Sequence, residues 1–155
     1  MTVKNSVIIL FLIACACHTP PPLPPVDVKQ PGWRLLQGQA VWSLPRHSAE
    51  IAGDILVASG PDGRDYVEFS KTPFPMVIAQ ANHNQWEVDF PPQNKHYAGP
   101  GEPPQRLIWL YLLRILAGQS APQGWAWSQD ASGWKLQNQN TGESIAGYFS
   151  APATQ

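Results

Sequence analysis

Cys15 and Cys17 are the only thiols in the chain, one residue apart in the stretch LIACACHTPPPLPP, Leu12 to Pro25. Residues two apart do not readily reach the geometry of an ordinary disulfide, and no third thiol offers a partner. A zinc site wants CxxC spacing and four ligands, whereas only His18 lies nearby. Elsewhere, His83, Glu87, Asp89 and His96 can be gathered on paper into a metal or acid–base site. Glu87 and Asp89, however, fall on the polar side of an alternating segment, where solvated carboxylates are the ordinary finding. His47 stands apart from them. There is no GxSxG elbow, no glycine-rich phosphate loop after a strand and no HExxH. Neither an enzyme nor a metal or other cofactor is expected.

The elements around the cysteines give them another role. Met1 to Ser6 is short and carries Lys4, and Val7 to Ala14 is an unbroken apolar run of signal-peptide length. A membrane span needs about 20 apolar residues, so this segment is too short for a durable one. Leu12-Ile13-Ala14-Cys15 resembles the bacterial lipobox. In signals of that kind the cysteine thiol is acylated, the chain is cut just before it, and the new amino group receives another acyl chain. The resemblance makes residues 1–14 a lipoprotein signal peptide and Cys15 the lipid anchor. Cys17 fits less well, because Ala14 would then occupy the place that suits Leu12. Two or more acyl chains anchor stably, where one is marginal. An ordinary secretory peptide cut near Ala16 is the alternative. In enterobacterial lipoproteins an Asp after the lipidated cysteine favours inner-membrane retention; Ala16 stands there in this chain, so the resemblance implies the outer membrane.

Residues 15–31 then form the anchor and a proline-rich tether, with Pro20-Pro21-Pro22 and Pro24-Pro25 clustered. Proline fixes its own backbone and restricts the residue before it, so an extended stretch is expected. At about 3.1 Å per residue, the stretch from Thr19 to Pro31 would reach roughly 40 Å. Past the signal segment, nine basic side chains face eleven acidic ones. That balance carries no footprint for nucleic acid and no polybasic membrane patch.

The folded domain is expected over 32–151, without cysteine and with one core. Leu36, Ala40, Trp42 and Leu44 mark one face of a first strand. Ile51, Ile55 and Val57 mark a second in Glu50–Ser59. Gly60-Pro61-Asp62-Gly63 reads as a hairpin turn, because Asp-Gly tolerates positive backbone angles. Asp65–Lys71, Met76–Ala81, Gln85–Phe90 and Lys95–Ala98 follow. In Gln85–Phe90, Trp86, Val88 and Phe90 alternate with Gln85, Glu87 and Asp89. Pro103–Gln119 breaks this rhythm. Prolines suit its start and Gly118 its end, and it is apolar nearly all round, so a buried helix is expected near 104–118. Its two charges, Arg106 and Arg114, need partners, either as a buried ion pair with strand carboxylates or at a cavity mouth near a lipid headgroup. Trp125–Gln129, Trp134–Gln139 and Ser144–Ser150 return to strands, with Asn140-Thr141-Gly142-Glu143 as a hairpin connection. The expected fold is mainly β within the α+β class: a curved antiparallel sheet, or incomplete β-barrel, around one buried helix. Its concave side would be an aromatic-lined cavity, with Leu36, Trp42, Ile55, Val57, Trp86, Val88, Leu110 and Leu113 as its wall.

Lipobox, spacer, and then GQAVWSLP, DILVASG, DYVEFSKTPF, MVIAQ, QWEVDF, HYAG, LIWLYLLRILAG, WAW and GESIAGYF resemble the LolB-type branch of the LolA/LolB lipoprotein carriers. The order and spacing of these blocks match along nearly all of the domain. The resemblance implies an unclosed barrel covered by helices, whose cavity takes the acyl chains of lipoproteins. It implies an outer-membrane lipoprotein on the periplasmic face that accepts cargo from a periplasmic carrier protein. It also implies a projecting loop with an exposed apolar residue that helps deliver cargo to the bilayer. The clearest hairpin tip here, Pro61-Asp62-Gly63-Arg64-Asp65, is polar and charged. An alternative use of the same fold is a structural or interaction lipoprotein of an envelope complex, with a filled core.

Overall fold

The computed structural model describes residues 21–45 and 49–150. The signal segment, Cys15, Cys17 and His47 lie outside the described residues. Among the described residues, nine strands and one α-helix follow in the expected order. The strands are β1 (Arg34–Ser43), β2 (Glu50–Ser59), β3 (Asp65–Lys71), β4 (Phe74–Ala81), β5 (Gln85–Phe90) and β6 (Lys95–Pro100). Helix α1 (Ile108–Leu116) comes next, then β7 (Trp125–Asp130), β8 (Gly133–Asn138) and β9 (Ser144–Phe149). All the strand pairs are antiparallel, in one sheet of order β6-β5-β4-β3-β2-β1-β9-β8-β7. β9 returns to pair with β1, and β6 and β7 are the free edges of a curved, unclosed sheet.

Short polar turns carry the meander. Gly63 adopts φ +76° between β2 and β3, and the Gly60 N–H donates to the Arg64 carbonyl at 2.7 Å. Between β4 and β5, Asn82 Oδ1 accepts the N–H groups of Asn84 and Gln85 at 2.8 and 2.9 Å. Between β8 and β9, Asn138 Oδ1 accepts those of Asn140 and Thr141. The coiling of the sheet depends on missing side chains. A Cβ on Gly38 would collide with the Tyr148 carbonyl, and one on Gly147 with the Gln39 carbonyl, where β1 and β9 cross closely.

The helix begins four residues later than the prolines suggest. Pro104 to Leu107 forms a turn closed by the Leu107 N–H on the Pro104 carbonyl, and Leu107 itself is not helical. The C-terminal end follows the expectation. Gly118 at φ +92° lets its own N–H reach the Ile115 carbonyl while the Gln119 N–H reaches Arg114, the paired closure of a Schellman motif. Seven of the nine helical residues are buried, including Trp109 at 1 % exposure. α1 lies in the concavity against β3 and β4. The Trp109 ring stacks on Phe69 at 5.0 Å between centroids and meets Trp42 edge-on at 5.5 Å. A second aromatic row, Trp127, Trp134 and Phe149, stacks across β7, β8 and β9. Among the described residues no helix is long and apolar enough to cross a membrane.

Candidate functional site

Period-2 alternation puts Trp42, Ile55, Val57, Trp86 and Val88 on the concave face, and the helix adds Leu110 and Leu113. These seven belong to one contiguous buried core rather than to the wall of an open hollow. Leu36 has the right parity but lies beyond the end of that core, 43 % exposed. Where Trp109 sits, the half-barrel interior is occupied by the protein's own rings.

Open space remains at one mouth. A cleft of about 400 Å³ lies between α1, the β2–β3 tip and the β4–β5 turn. Trp86, Leu110 and Leu113 reach it from the core, and Asp65, His83, Glu102, Arg114 and Gln119 complete its lining. Ligand pockets usually measure about 300–1,000 Å³ and combine apolar walls with a few polar groups, so this cleft falls at the small end. Burial pushes the Asp65 carboxyl above its ordinary value, against the lowering effects of the Ser59 hydroxyl, which donates at 2.8 Å, and of nearby His83. Tyr111 donates to the Pro103 carbonyl at 2.8 Å, and burial, with Glu102, raises its hydroxyl. The buried Trp86 Nε1 has no hydrogen-bond partner among the described residues.

Arg114 stands at this mouth. Its guanidinium meets Glu102 at 3.0 Å and the Gln119 side-chain oxygen at 2.7 Å, and lies 5.8 Å from the Tyr111 ring centroid. The pair is partly exposed and its acid comes from a loop, so it is not a buried pair with a strand carboxylate. Arg106 precedes the helix, is exposed, and lies over the Tyr97 ring at 5.6 Å. It lines a separate shallow groove with Trp42, Leu44 and Phe90.

The four residues gathered on paper as a metal or acid–base site are dispersed. Asp89 and His96 face each other across β5 and β6 at 2.7 Å, both well exposed. His83 lies in the cleft, and Glu87 is buried on the convex face. No group of three metal-ligating side chains occurs among the described residues.

One feature escaped the sequence reading. The β2–β3 tip is polar, as expected, but the next hairpin is not. Lys71 pairs with Phe74 across a two-residue loop, Thr72-Pro73, and the Phe74 side chain is 69 % exposed. A large aromatic ring is thus presented beside a lysine at the tip of β3–β4. The signal available was the run TPFP, a hydrophobe set between turn-forming prolines.

The chain's fold and cleft thus define a curved, unclosed antiparallel sheet filled by one helix, with an amphipathic cleft at one mouth. No family model matches the chain, and no curated protein is significantly similar to it.

Proposed function

We propose that the protein is a lipid-anchored lipoprotein of the bacterial outer membrane that binds an acyl chain or similar hydrophobic ligand at the mouth of its half-barrel. The resemblance to the LolB-type carriers suggests a place in lipoprotein localisation, with a periplasmic carrier as partner. The observation that carries the binding reading is the cleft. Its apolar floor of Trp86, Leu110 and Leu113 continues into the core, while Arg114, Glu102 and His83 ring the opening. Such a site suits an amphiphile, tail inward and polar head at the rim. The aromatic tip at Phe74 supplies an apolar contact of the kind a membrane interface receives. A second reading, a structural lipoprotein of an envelope complex, is favoured by Trp109, which fills the interior that a larger ligand would need.

Native mass spectrometry with acylated peptide and free fatty acid separates the two. The sample is the chain without its signal segment and with Cys15→Ser. Ala117 lines the cleft and is exposed, so Ala117→Trp obstructs it without touching the core. A bound acyl mass that Ala117→Trp abolishes supports the binding reading. No bound mass from a folded domain, or one indifferent to Ala117→Trp, sinks it and leaves the structural reading.

A further inference from the structure

The proline-rich stretch was expected to be a free tether, yet part of it lies against the domain. Leu23 is only 7 % exposed, although the prolines flanking it are exposed. Its N–H donates to Glu87 Oε2 at 3.2 Å, and the other Glu87 oxygen accepts the Gln80 side-chain N–H. Gln85 Nε2 donates to the Pro21 carbonyl at 3.0 Å, and Arg64 Nη1 to the Pro24 carbonyl at 2.7 Å. Arg64 is itself held by Asp62 and lies over the Trp33 ring. Gln80 and Glu87 are outward-facing strand residues, yet both are more than nine-tenths buried, while Glu68 and Asp89 on the same face are not. Polar side chains on the convex side of a sheet lose contact with water when something covers them, and they need partners there. Leu23 is a residue that bonds to the buried pair.

The chemistry of the segment fits the chemistry of the surface. Residues 20, 21, 22, 24 and 25 are proline, so Leu23 carries the one backbone N–H of that run, and that N–H is used. The carbonyls have no such restriction, and two of them take donors from Gln85 and Arg64. A proline-rich segment is already stiff, so little conformational freedom is lost when it docks.

We infer that the convex face at Gln80, Gln85, Glu87 and Arg64 is a binding site for an extended proline-rich segment, occupied in this chain by its own residues 21–25. The occupied site gives the tether two lengths. Pro21 lies six residue steps after Cys15, and Val26 eleven. At about 3.1 Å per residue, the leash is about 19 Å with the strap docked and about 34 Å with it released. This second consequence rests on Cys15 being the lipid anchor; the binding site does not.

Amide exchange in the full chain, followed by nuclear magnetic resonance, reads the strap directly, because Leu23 gives the only backbone amide signal between Thr19 and Val26. We expect Leu23 to exchange at least ~10-fold more slowly than in a free peptide of the same sequence. Glu87→Ala should return it to the peptide rate while the Val67 amide, in the middle of β3, stays protected. In Leu23→Asp, which vacates the site, a synthetic TPPPLPPV peptide should shift the side-chain amide signals of Gln80 and Gln85. Exchange of Leu23 at the peptide rate in the unaltered chain overturns the site, as does protection that survives Glu87→Ala. For the leash, energy transfer from a dyed vesicle surface to a dye on Asn84→Cys, in the β4–β5 turn beside the docked strap and with Cys17→Ser, should fall in Glu87→Ala. Unchanged transfer, with Leu23 protection lost, overturns the two-length tether alone. A chain that fails to bind vesicles at all overturns the Cys15 anchor, while the amide result still decides the binding site.

Discussion

Trp109 is the side chain on which the filled half-barrel depends, and Trp109→Ala tests that dependence. The ring is 1 % exposed, stacked on Phe69 at 5.0 Å and edge-on to Trp42 at 5.5 Å. Its neighbours come from β1, β3 and the helix itself, so no single element can move in to fill the space. Truncation leaves a gap of ~130 Å³, and at ~24 cal/mol per Å³ the cavity alone costs about 3 kcal/mol. Adding the lost transfer energy brings the expected loss to about 4 kcal/mol, inside the usual ~3–5 kcal/mol for such a change. With a urea slope of about 1.5 kcal/mol per molar, the unfolding midpoint should drop by ~2–3 M at unchanged slope. Urea titration followed by far-ultraviolet circular dichroism measures this. The new space is lined by Phe69, Trp42 and helix side chains, so it should stay dry and take up benzene. A loss below ~1.5 kcal/mol, with no benzene uptake, would refute the reasoning, because it would mean the concavity is already loose around that ring.

Two more predictions concern the buried carboxyl of Glu143 and the close approach of strands at Gly147. Glu143 is buried against the Trp42 indole, whose N–H donates to it at 2.9 Å, and burial raises its carboxyl above the ordinary 4.5. A raised carboxyl contributes stability that is complete below pH 4.5 and is lost as pH climbs through the raised value. Glu143→Gln keeps an acceptor for Trp42 and removes the buried charge. The variant should therefore be more stable than the parent at pH 7, with the advantage vanishing below pH 4.5; equal thermal midpoints at pH 7 would contradict this. Gly147→Ala places a methyl group into the Gln39 carbonyl, so β1 and β9 must separate. A loss of at least ~1 kcal/mol is expected in the same urea assay, against about 0.5 kcal/mol or less for an unobstructed surface change.

The positions of the strands along the chain were legible because alternation reports burial on one side. In Gln85–Phe90 the inward residues Trp86 and Val88 are buried and Asp89 keeps contact with water. The helix was legible because a segment apolar on every side has nowhere else to go. Three things were not. Parity gives the face of a residue but not how far the core extends beneath it, which is why Leu36 shares the face of Trp42 yet lies exposed. A turn motif gives the chain reversal but not which side chain projects, so Phe74 was hidden in TPFP. A proline run gives stiffness but not whether a surface is waiting for it. Glu87 therefore read as a solvated carboxylate, although Leu23 bonds to it. Of the eight residues chosen as a cavity wall, Trp86, Leu110 and Leu113 reach the cleft.

Anchorage through Cys15, as proposed, makes the strap and the aromatic tip constrain each other. In an antiparallel meander successive turns alternate between the two ends of the sheet, so the β2–β3 and β4–β5 turns share one end and β3–β4 lies at the other. Pro21 is held by Gln85 at the first end and Phe74 projects from the second. The eight residues of β4 separate them by about 26 Å at ~3.3 Å per residue. A docked leash of about 19 Å is shorter than that span. With the strap docked, a domain anchored through Cys15 therefore cannot stand upright with Phe74 in the bilayer, and a released leash of about 34 Å allows it. Releasing the strap should drive the tip deeper. An environment-sensitive dye on Phe74→Cys, with Cys17→Ser and the lipid anchor intact, reports the depth on vesicles. Its emission should shift further to the blue in a Glu87→Ala background than in the parent. Equal emission in the two backgrounds would show that the domain reaches the membrane lying on its side, and that strap and tip act independently.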